Sequence, residues 1–391
     1  MTWLSSALGA LGSSTAWHAA SRGLSVVGIE AFEFGHERGA SHDTSRIIRH
    51  SYHTPAYVAL TFGAYDEWSR LEDETGESFV TVTGGLDLFP PGAQISMGDY
   101  TSSMEAHHIA YDVLDVDAVG ERWPAFVLPA GTTAIHQART GIVPAAAGTA
   151  AMTRRARQLG AALYDNTRVE AIAPGADDVE LVTSNGVVSA GRVVVTADAW
   201  TAGLLAPLGV DLPLTVTEEQ VTYFAPYRPS EFGPDLFPVW IWMDEPSYYG
   251  FPTYGEATVK AAQDCGGPIV TGDDRSGGPD EAMRERLSAF LRNVLPGSGR
   301  PARSKRCLYT LTPDRDFVVD RLPGHPSVTM GLGSAHGFKF AALFGRLRTD
   351  MAVEGESFHD SKAFRLDRPA LTDPPTSRTG WCEPRLPGTG V

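Results

Sequence analysis

The apolar positions of this chain change period along its length, and each change marks an element. A glycine-rich turn at Leu8–Ser13 runs into a helical stretch, Ser14–Ser21, and then into Leu24–Glu30 (LSVVGIE), an apolar run of strand length closed by an acid. Pro55–Thr75 repeats at helical spacing, with Val58, Phe62, Tyr65, Trp68 and Leu71 on one face. Ala145–Leu159 predicts a second long helix, containing Arg154, Arg155 and Arg157, and leads into a strand at Ala161–Tyr164. Strands follow at Val169–Ile172, Val179–Thr183 and Val187–Ser189, the last two joined by Asn185-Gly186, a pair that tight hairpins prefer. Val193–Thr196 (VVVT) reads as a buried strand.

Tyr223–Val270 is rich in aromatic residues, proline and glycine, and reads as antiparallel sheet. Asp280–Leu295 is amphipathic at helical spacing; strands return at Phe317–Asp320 and Val328–Leu332, before a helix from about Phe340. The Pro-rich sequence after Pro369 reads as a surface tail. A βα start, a β-rich middle and a βα return predict a mixed α/β (α+β) fold. We expect a Rossmann-like nucleotide domain built from residues 1–85, 140–212 and 300–391. A mainly antiparallel β-sheet domain, residues 86–139 and 213–299, is inserted into it and expected to bind substrate.

Composition narrows the class of function. At 391 residues the chain exceeds the roughly 250–300 at which one hydrophobic core stops growing. Hydrophobic residues make up 42% and charged residues 20%, too apolar for a disordered chain. Net charge is −15, with no run of Lys and Arg, the wrong balance for tracking phosphates, so no nucleic-acid partner is expected. No apolar stretch approaches membrane-helix length, so no membrane partner is expected. The apolar N-terminus, Met1–Ala20, lacks the basic start of a secretory signal. Cys265, Cys307 and Cys382 lie far apart and suit neither a disulfide framework nor a zinc site, which points to the cytoplasm and to no metal.

Four clusters carry candidate chemistry. The turn Ala7-Leu8-Gly9-Ala10-Leu11-Gly12 holds two of the three glycines of a dinucleotide fingerprint, and Glu30, 21 residues after Gly9, is placed to accept ribose hydroxyls. A turn with two glycines also serves plain packing. Ser41–His50 contains Arg46 and Arg49, three apart and able to grip a carboxylate, or else merely solvated. In Lys305-Arg306-Cys307-Leu308-Tyr309-Thr310, two cations beside a cysteine favour its thiolate, although a buried structural cysteine is commoner. Gly331–Phe340 is a glycine-rich strand-to-helix turn holding Ser334, His336, Gly337 and Lys339, able to set backbone N–H groups and an ammonium against an anion.

In this order and spacing the clusters resemble the monomeric sarcosine oxidase and N-methyltryptophan oxidase family of flavoprotein amine oxidases. The likeness runs from about Gly9 to Ala370 and is sharpest at Arg46-Ile47-Ile48-Arg49-His50, Tyr248-Tyr249-Gly250-Phe251-Pro252, Cys307-Leu308-Tyr309-Thr310, Thr312-Pro313-Asp314, His336-Gly337-Phe338-Lys339-Phe340 and Arg368-Pro369-Ala370-Leu371. The resemblance implies FAD, covalently held by a thioether from Cys307 to the 8α carbon of the flavin. It implies that Arg49 and Lys339 bind the substrate carboxylate and that Arg46 is the cation close to the flavin ring. Lys260 matches the lysine that activates oxygen near flavin N5. Tyr249 and Tyr309 match the substrate cavity, and His336 matches a histidine beside the flavin. Gly9, Gly12 and Glu30 match the ADP site, Val169 the adenine contact, and Ser334 and Gly337 are further cofactor candidates.

Four positions depart from the family pattern. Ala7 replaces a glycine after a short, polar first strand, and Asp198 stands where glycine is usual. Asp264 replaces a histidine near the substrate and is read as a holder of the substrate cation or an acceptor of its proton, the alternative being a solvent-facing carboxylate. Trp240 replaces a smaller methionine of the cavity. The implied activity is that of a monomer oxidising a secondary, N-methylated or cyclic, amino acid to an imine, with O2 leaving as hydrogen peroxide. Oxidation of a primary amino acid or a biosynthetic amine, a flavin dehydrogenase and a non-catalytic flavoprotein stay open as alternatives.

Overall fold

Thr2–Ser5 forms a strand in spite of its polar, four-residue length, because it lies between two parallel neighbours that complete its hydrogen bonds. Trp3 and Leu4 are buried in separate apolar clusters. In this computed structural model, which describes residues 2–357, 359 and 361–374, that strand sits inside a six-stranded sheet. The order across the sheet is Val318–Leu322, His325–Leu332, Arg192–Val195, Thr2–Ser5, Ser25–Ile29 and Ala162–Tyr164. All neighbours are parallel except the antiparallel edge strand Val318–Leu322. The helices Ala10–Ser21, Ala145–Gln158 and Ala341–Glu354 supply residues to the cluster packed against it, where Trp17 is fully buried.

The helix Pro55–Thr75 has the ends its sequence implies. Thr54 caps it through a bond from Tyr57 N–H, proline occupies the first turn, and Gly76 closes it in the left-handed conformation at φ 71°. Val58, Trp68 and Leu71 are buried as expected, but Phe62 is 39% exposed and lies outside the packed face. The hairpin at Asn185-Gly186 forms within a three-stranded sheet of Val169–Pro174, Val179–Thr183 and Gly186–Ala190.

The second large sheet has eight strands, in the order Arg300–Leu311, Thr215–Ala225, Val259–Asp264, Ser247–Thr253, Val239–Trp242, Gly85–Phe89, Thr133–Gln137 and Asp112–Leu114. It is antiparallel apart from the pair Val239–Trp242 and Gly85–Phe89. Arg300–Leu311 pairs with Thr215–Ala225 along its whole length, so a chain division at residue 300 would cut that strand from its sheet. A small sheet of Arg46–Ile48, Gly141–Val143 and Thr81–Val82 completes the strands of the described residues. Cys265 is disulfide-bonded, although the wide spacing of the three cysteines suits no disulfide framework. Cys307 is free. Most of the expected Pro-rich tail, with Cys382, lies outside the described residues; Pro369–Thr372 is a short helix.

Candidate active site

One elongated cavity of about 1,080 Å³ runs from the first βα turn to the eight-stranded sheet. That is slightly above the roughly 300–1,000 Å³ usual for a small-molecule site. Gly9, Glu30 and Val169 line one end; Arg46, Arg49, Tyr249, Asp264, Cys307, Tyr309, His336, Gly337 and Lys339 line the rest.

At the first end, Gly9 caps the helix Ala10–Ser21 and presents that helix's N-terminus to the cavity. A Cβ on Gly12 would lie 1.6 Å from the Ala7 carbonyl oxygen, so only glycine allows the helix this close to the turn. Ala7 is not among the residues at positive φ, so its methyl group is tolerated where a glycine was expected. The Glu30 carboxylate accepts the Leu8 N–H at 2.8 Å and the Phe32 N–H at 3.2 Å, with His36 Nε2 3.2 Å away. It is thereby held at the cavity wall.

Cys307 is part of the cavity wall. Because side chains alternate along Arg300–Leu311, the adjacent Arg306 points away and pairs with Glu218 at 3.0 Å. Lys305 pairs with Glu37. Neither cation activates the thiol, contrary to the sequence argument. Burial pushes the thiol up to about 11, and the group that works most strongly against burial is Arg46. The Arg46 guanidinium is gripped by three backbone carbonyls, of Ser45, Ala40 and His42.

At the far end two cations flank one ring. The Arg49 guanidinium carbon lies 5.1 Å, and Lys339 Nζ 5.5 Å, from the centre of Tyr52. Lys339 donates to the His336 carbonyl at 3.0 Å. Burial, reinforced by Arg49, pushes this ammonium down to about 7. Arg49 donates to Asp87 at 2.7 Å. Burial and the nearby Lys339 hold His336 well below the usual imidazole range, so it is neutral, and its Nε2–H donates to the Arg315 carbonyl at 3.0 Å. The Tyr249 and Tyr309 hydroxyls meet at 3.4 Å.

Comparison with known proteins decides the family. Residues 8–351 match the family model described as FAD dependent oxidoreductase (DAO). The chain belongs to that family. It is 31% identical over 373 residues to the monomeric sarcosine oxidase of Bacillus sp. (strain B-0618), covering 93% of this chain and 95% of that protein. It is 30% identical over 367 residues to the N-methyl-L-tryptophan oxidase of Yersinia pestis (strain Pestoides F), covering 92% and 97%. Among solved structures, the open form of NikD, an unusual amino acid oxidase essential for nikkomycin biosynthesis, superposes with a TM-score of 0.82 at 26% identity, covering 93% and 96%. Glycine oxidase from Geobacillus kaustophilus shares the fold, with a TM-score of 0.79 at 18% identity. The protein is an FAD-dependent oxidoreductase whose sequence relatives are amine and amino-acid oxidases.

The DAO-family cavity fits FAD by its own geometry: Gly12, behind the wall, lets the helix pack close against the turn, and the helix N-terminus at Gly9 and the anchored Glu30 line the same cavity as Cys307. Four expected site residues, Gly12, Trp240, Ser334 and Lys260, do not line the cavity, and Asp264 lines it already paired. Trp240 is buried on the opposite face of its strand, stacked on Phe290 and edge-on to Phe126; its neighbour Ile241 takes the cavity position. Ser334 is buried at φ 37°, its hydroxyl bonded to Thr312, and Ala335 lines the cavity instead. Asp264 is neither a free acceptor nor a solvated acid, since Arg315 holds it through both terminal nitrogens at 3.2–3.3 Å.

Lys260 does not line the cavity either; its ammonium is turned onto Asp43 at 3.1 Å. Asp43, Asp87 and Arg315 were missed. Each acts by pairing with a residue distant in sequence, which no local pattern announces. Asp198, noted only as a departure, lines the cavity at φ 46°, and burial pushes its carboxyl up to about 6.

Proposed function

We propose that this enzyme oxidises the C–N bond of a secondary amino acid, N-methylated or cyclic, to an imine, acting as a monomer with O2 as the final acceptor and hydrogen peroxide as product. The observation that carries this reading is the convergence of Arg49 and Lys339 on one aromatic ring in the cavity that also holds Cys307. Bound FAD supplies the two-electron acceptor. The residues supply placement and electrostatics. Arg49 and Lys339 hold the carboxylate, which orients the carbon beside the amine. Tyr249 and Tyr309 shape the wall around the amine. Arg46, fixed by backbone carbonyls, keeps a positive charge where negative charge develops.

Attachment of FAD through the Cys307 sulfur belongs to the same proposal and is supported by the place of that buried thiol in the cavity wall and by Arg46 beside it. No helix of the described residues is long and apolar enough to cross a membrane. The cytoplasmic location rests on the sparse cysteines, and the bond at Cys265 weighs against it.

The test is anaerobic. Purified protein should show a flavin spectrum that bleaches with N-methyl or cyclic amino acids, and admitting air should restore the colour and release peroxide. Bleaching by primary amino acids alone, or by no amine, overturns the proposal.

A further inference from the structure

The chain has only four lysines, Lys260, Lys305, Lys339 and Lys362. Lys260, on the strand Val259–Asp264, is 3% exposed. Its Nζ donates to Asp43 Oδ2 at 3.1 Å and to the Ser45 carbonyl at 2.6 Å, and lies 4.4 Å from the centre of the Phe251 ring. Asp43 is held as firmly. Its carboxylate accepts the Tyr223 hydroxyl and stands 3.7 Å from Arg46. The Tyr223 hydroxyl also meets Thr44 Oγ1 at 3.0 Å, and the Arg303 guanidinium caps the tyrosine ring at 3.5 Å.

Asp43 has φ 82°. That region favours glycine, and a side chain placed there carries strain. Here the strained position puts a buried carboxylate directly against a buried ammonium.

Resting on the resemblance that gives Lys260 the oxygen half-reaction, we infer that Asp43 is the positioning residue for Lys260. It holds the amine in its charged form and fixes it on the face of Phe251. The Ser45 carbonyl helps to hold the amine, but Asp43 is the carboxylate that faces it. The segment before Arg46–Ile48 contributes Asp43 and, from the strand itself, Arg46, a like charge; Arg300–Leu311 contributes Cys307, and Thr215–Ala225 contributes Tyr223. Ser247–Thr253 presents the uncharged Phe251. Burial pushes Lys260 down to about 7, with Asp43 opposing that fall and Arg46 adding to it. The ammonium is present below that value and lost above it, so removing Asp43 moves the loss to lower pH.

Four lysines make the test direct. In holoenzyme labelled with 13C at the lysine ε-carbons, four NMR signals are expected, and the Lys260 signal is assigned by its disappearance in Lys260→Met. Asp43→Asn should lower its titration midpoint by roughly one pH unit or more, the size of effect an adjacent opposite charge has. Asp43→Gly should do the same, and its folding is favoured because glycine suits φ 82°. Stopped-flow reoxidation by O2 should show a pH limb that moves with the NMR midpoint in both variants. An unmoved midpoint in both variants overturns the inference. A midpoint that moves, in an enzyme whose Lys260→Met variant reoxidises at the wild-type rate, supports the pairing and removes the oxygen role of Lys260.

Discussion

Arg49 and Asp87 form a buried ion pair at 2.7 Å, so the arginine proposed to clamp a substrate carboxylate already has a counter-ion. Ser51 donates to the same Asp87 carboxylate. The pair fixes the guanidinium in one pose, and it leaves Lys339 as the less compensated of the two cations. Arg49→Ala should weaken a carboxylate inhibitor by about 2–5 kcal/mol, the range for truncating one member of a buried charged pair. Asp87→Asn keeps an acceptor for Arg49 but removes the negative charge. The same inhibitor should then bind tighter by roughly 1–2 kcal/mol, the size of a charge interaction across several ångströms at an effective dielectric near 20. Calorimetric titration would decide, and unchanged affinity in Asp87→Asn would show that this carboxylate carries no weight in binding.

Lys339 makes the same binding pH-dependent. Burial, reinforced by Arg49, lowers it to about 7, below the usual lysine range. The ammonium is therefore present below about 7 and lost above it. Inhibitor affinity should fall as pH rises through that value, by at most about tenfold per pH unit for one proton. Lys339→Arg, charged throughout, should flatten the profile. A flat profile in the wild type would show that the ammonium takes no part.

Covalent flavin can be tested against its supposed activators. Cys307→Ala should let all flavin leave with the supernatant after acid precipitation, whereas the wild type should keep its colour in the pellet. Lys305→Ala should retain the flavin, because Lys305 is paired with Glu37. Flavin freed by acid from the wild type would disprove the thioether.

Substrate range should respond to Ile241 and not to Trp240. Trp240→Ala empties a buried site between Phe126 and Phe290 and should lower stability by about 3–5 kcal/mol without reordering a panel of amines. Ile241→Ala enlarges the cavity and should shift kcat/KM toward bulkier or ring-containing amino acids by roughly tenfold, as a modest change of fit allows. The opposite pattern would return Trp240 to the site.

Gly12→Ala tests the cofactor end. Its Cβ would fall 1.6 Å from the Ala7 oxygen, a backbone atom that has no rotamer to escape into. A loss of at least about 1–3 kcal/mol in thermal or denaturant unfolding is expected, with weakened flavin retention. Wild-type stability would mean that the helix shifts freely.

The sequence by itself determined the helices and strands wherever apolar period, caps and turn glycines agreed. Pro55–Thr75 begins at its Thr-Pro cap and ends at Gly76, and the Asn185-Gly186 hairpin forms as its residues require. It also brought Gly9, Glu30, Arg46, Arg49, Cys307, His336 and Lys339 to notice, and these line one cavity. These are matters of local spacing, which the chain carries in its order. The tertiary structure alone decided which face each side chain takes and what charge lies opposite it. Along a strand a step of one residue reverses the face, which is how Ile241 reaches the cavity and Trp240 does not. The charge of a buried group depends on partners from remote segments: Asp43 meets Lys260 across 217 positions, Asp87 meets Arg49 across 38, and Arg315 meets Asp264 across 51. Burial strengthens such pairings, because little water remains to screen them. Their members therefore become visible only when the sheets bring those segments together.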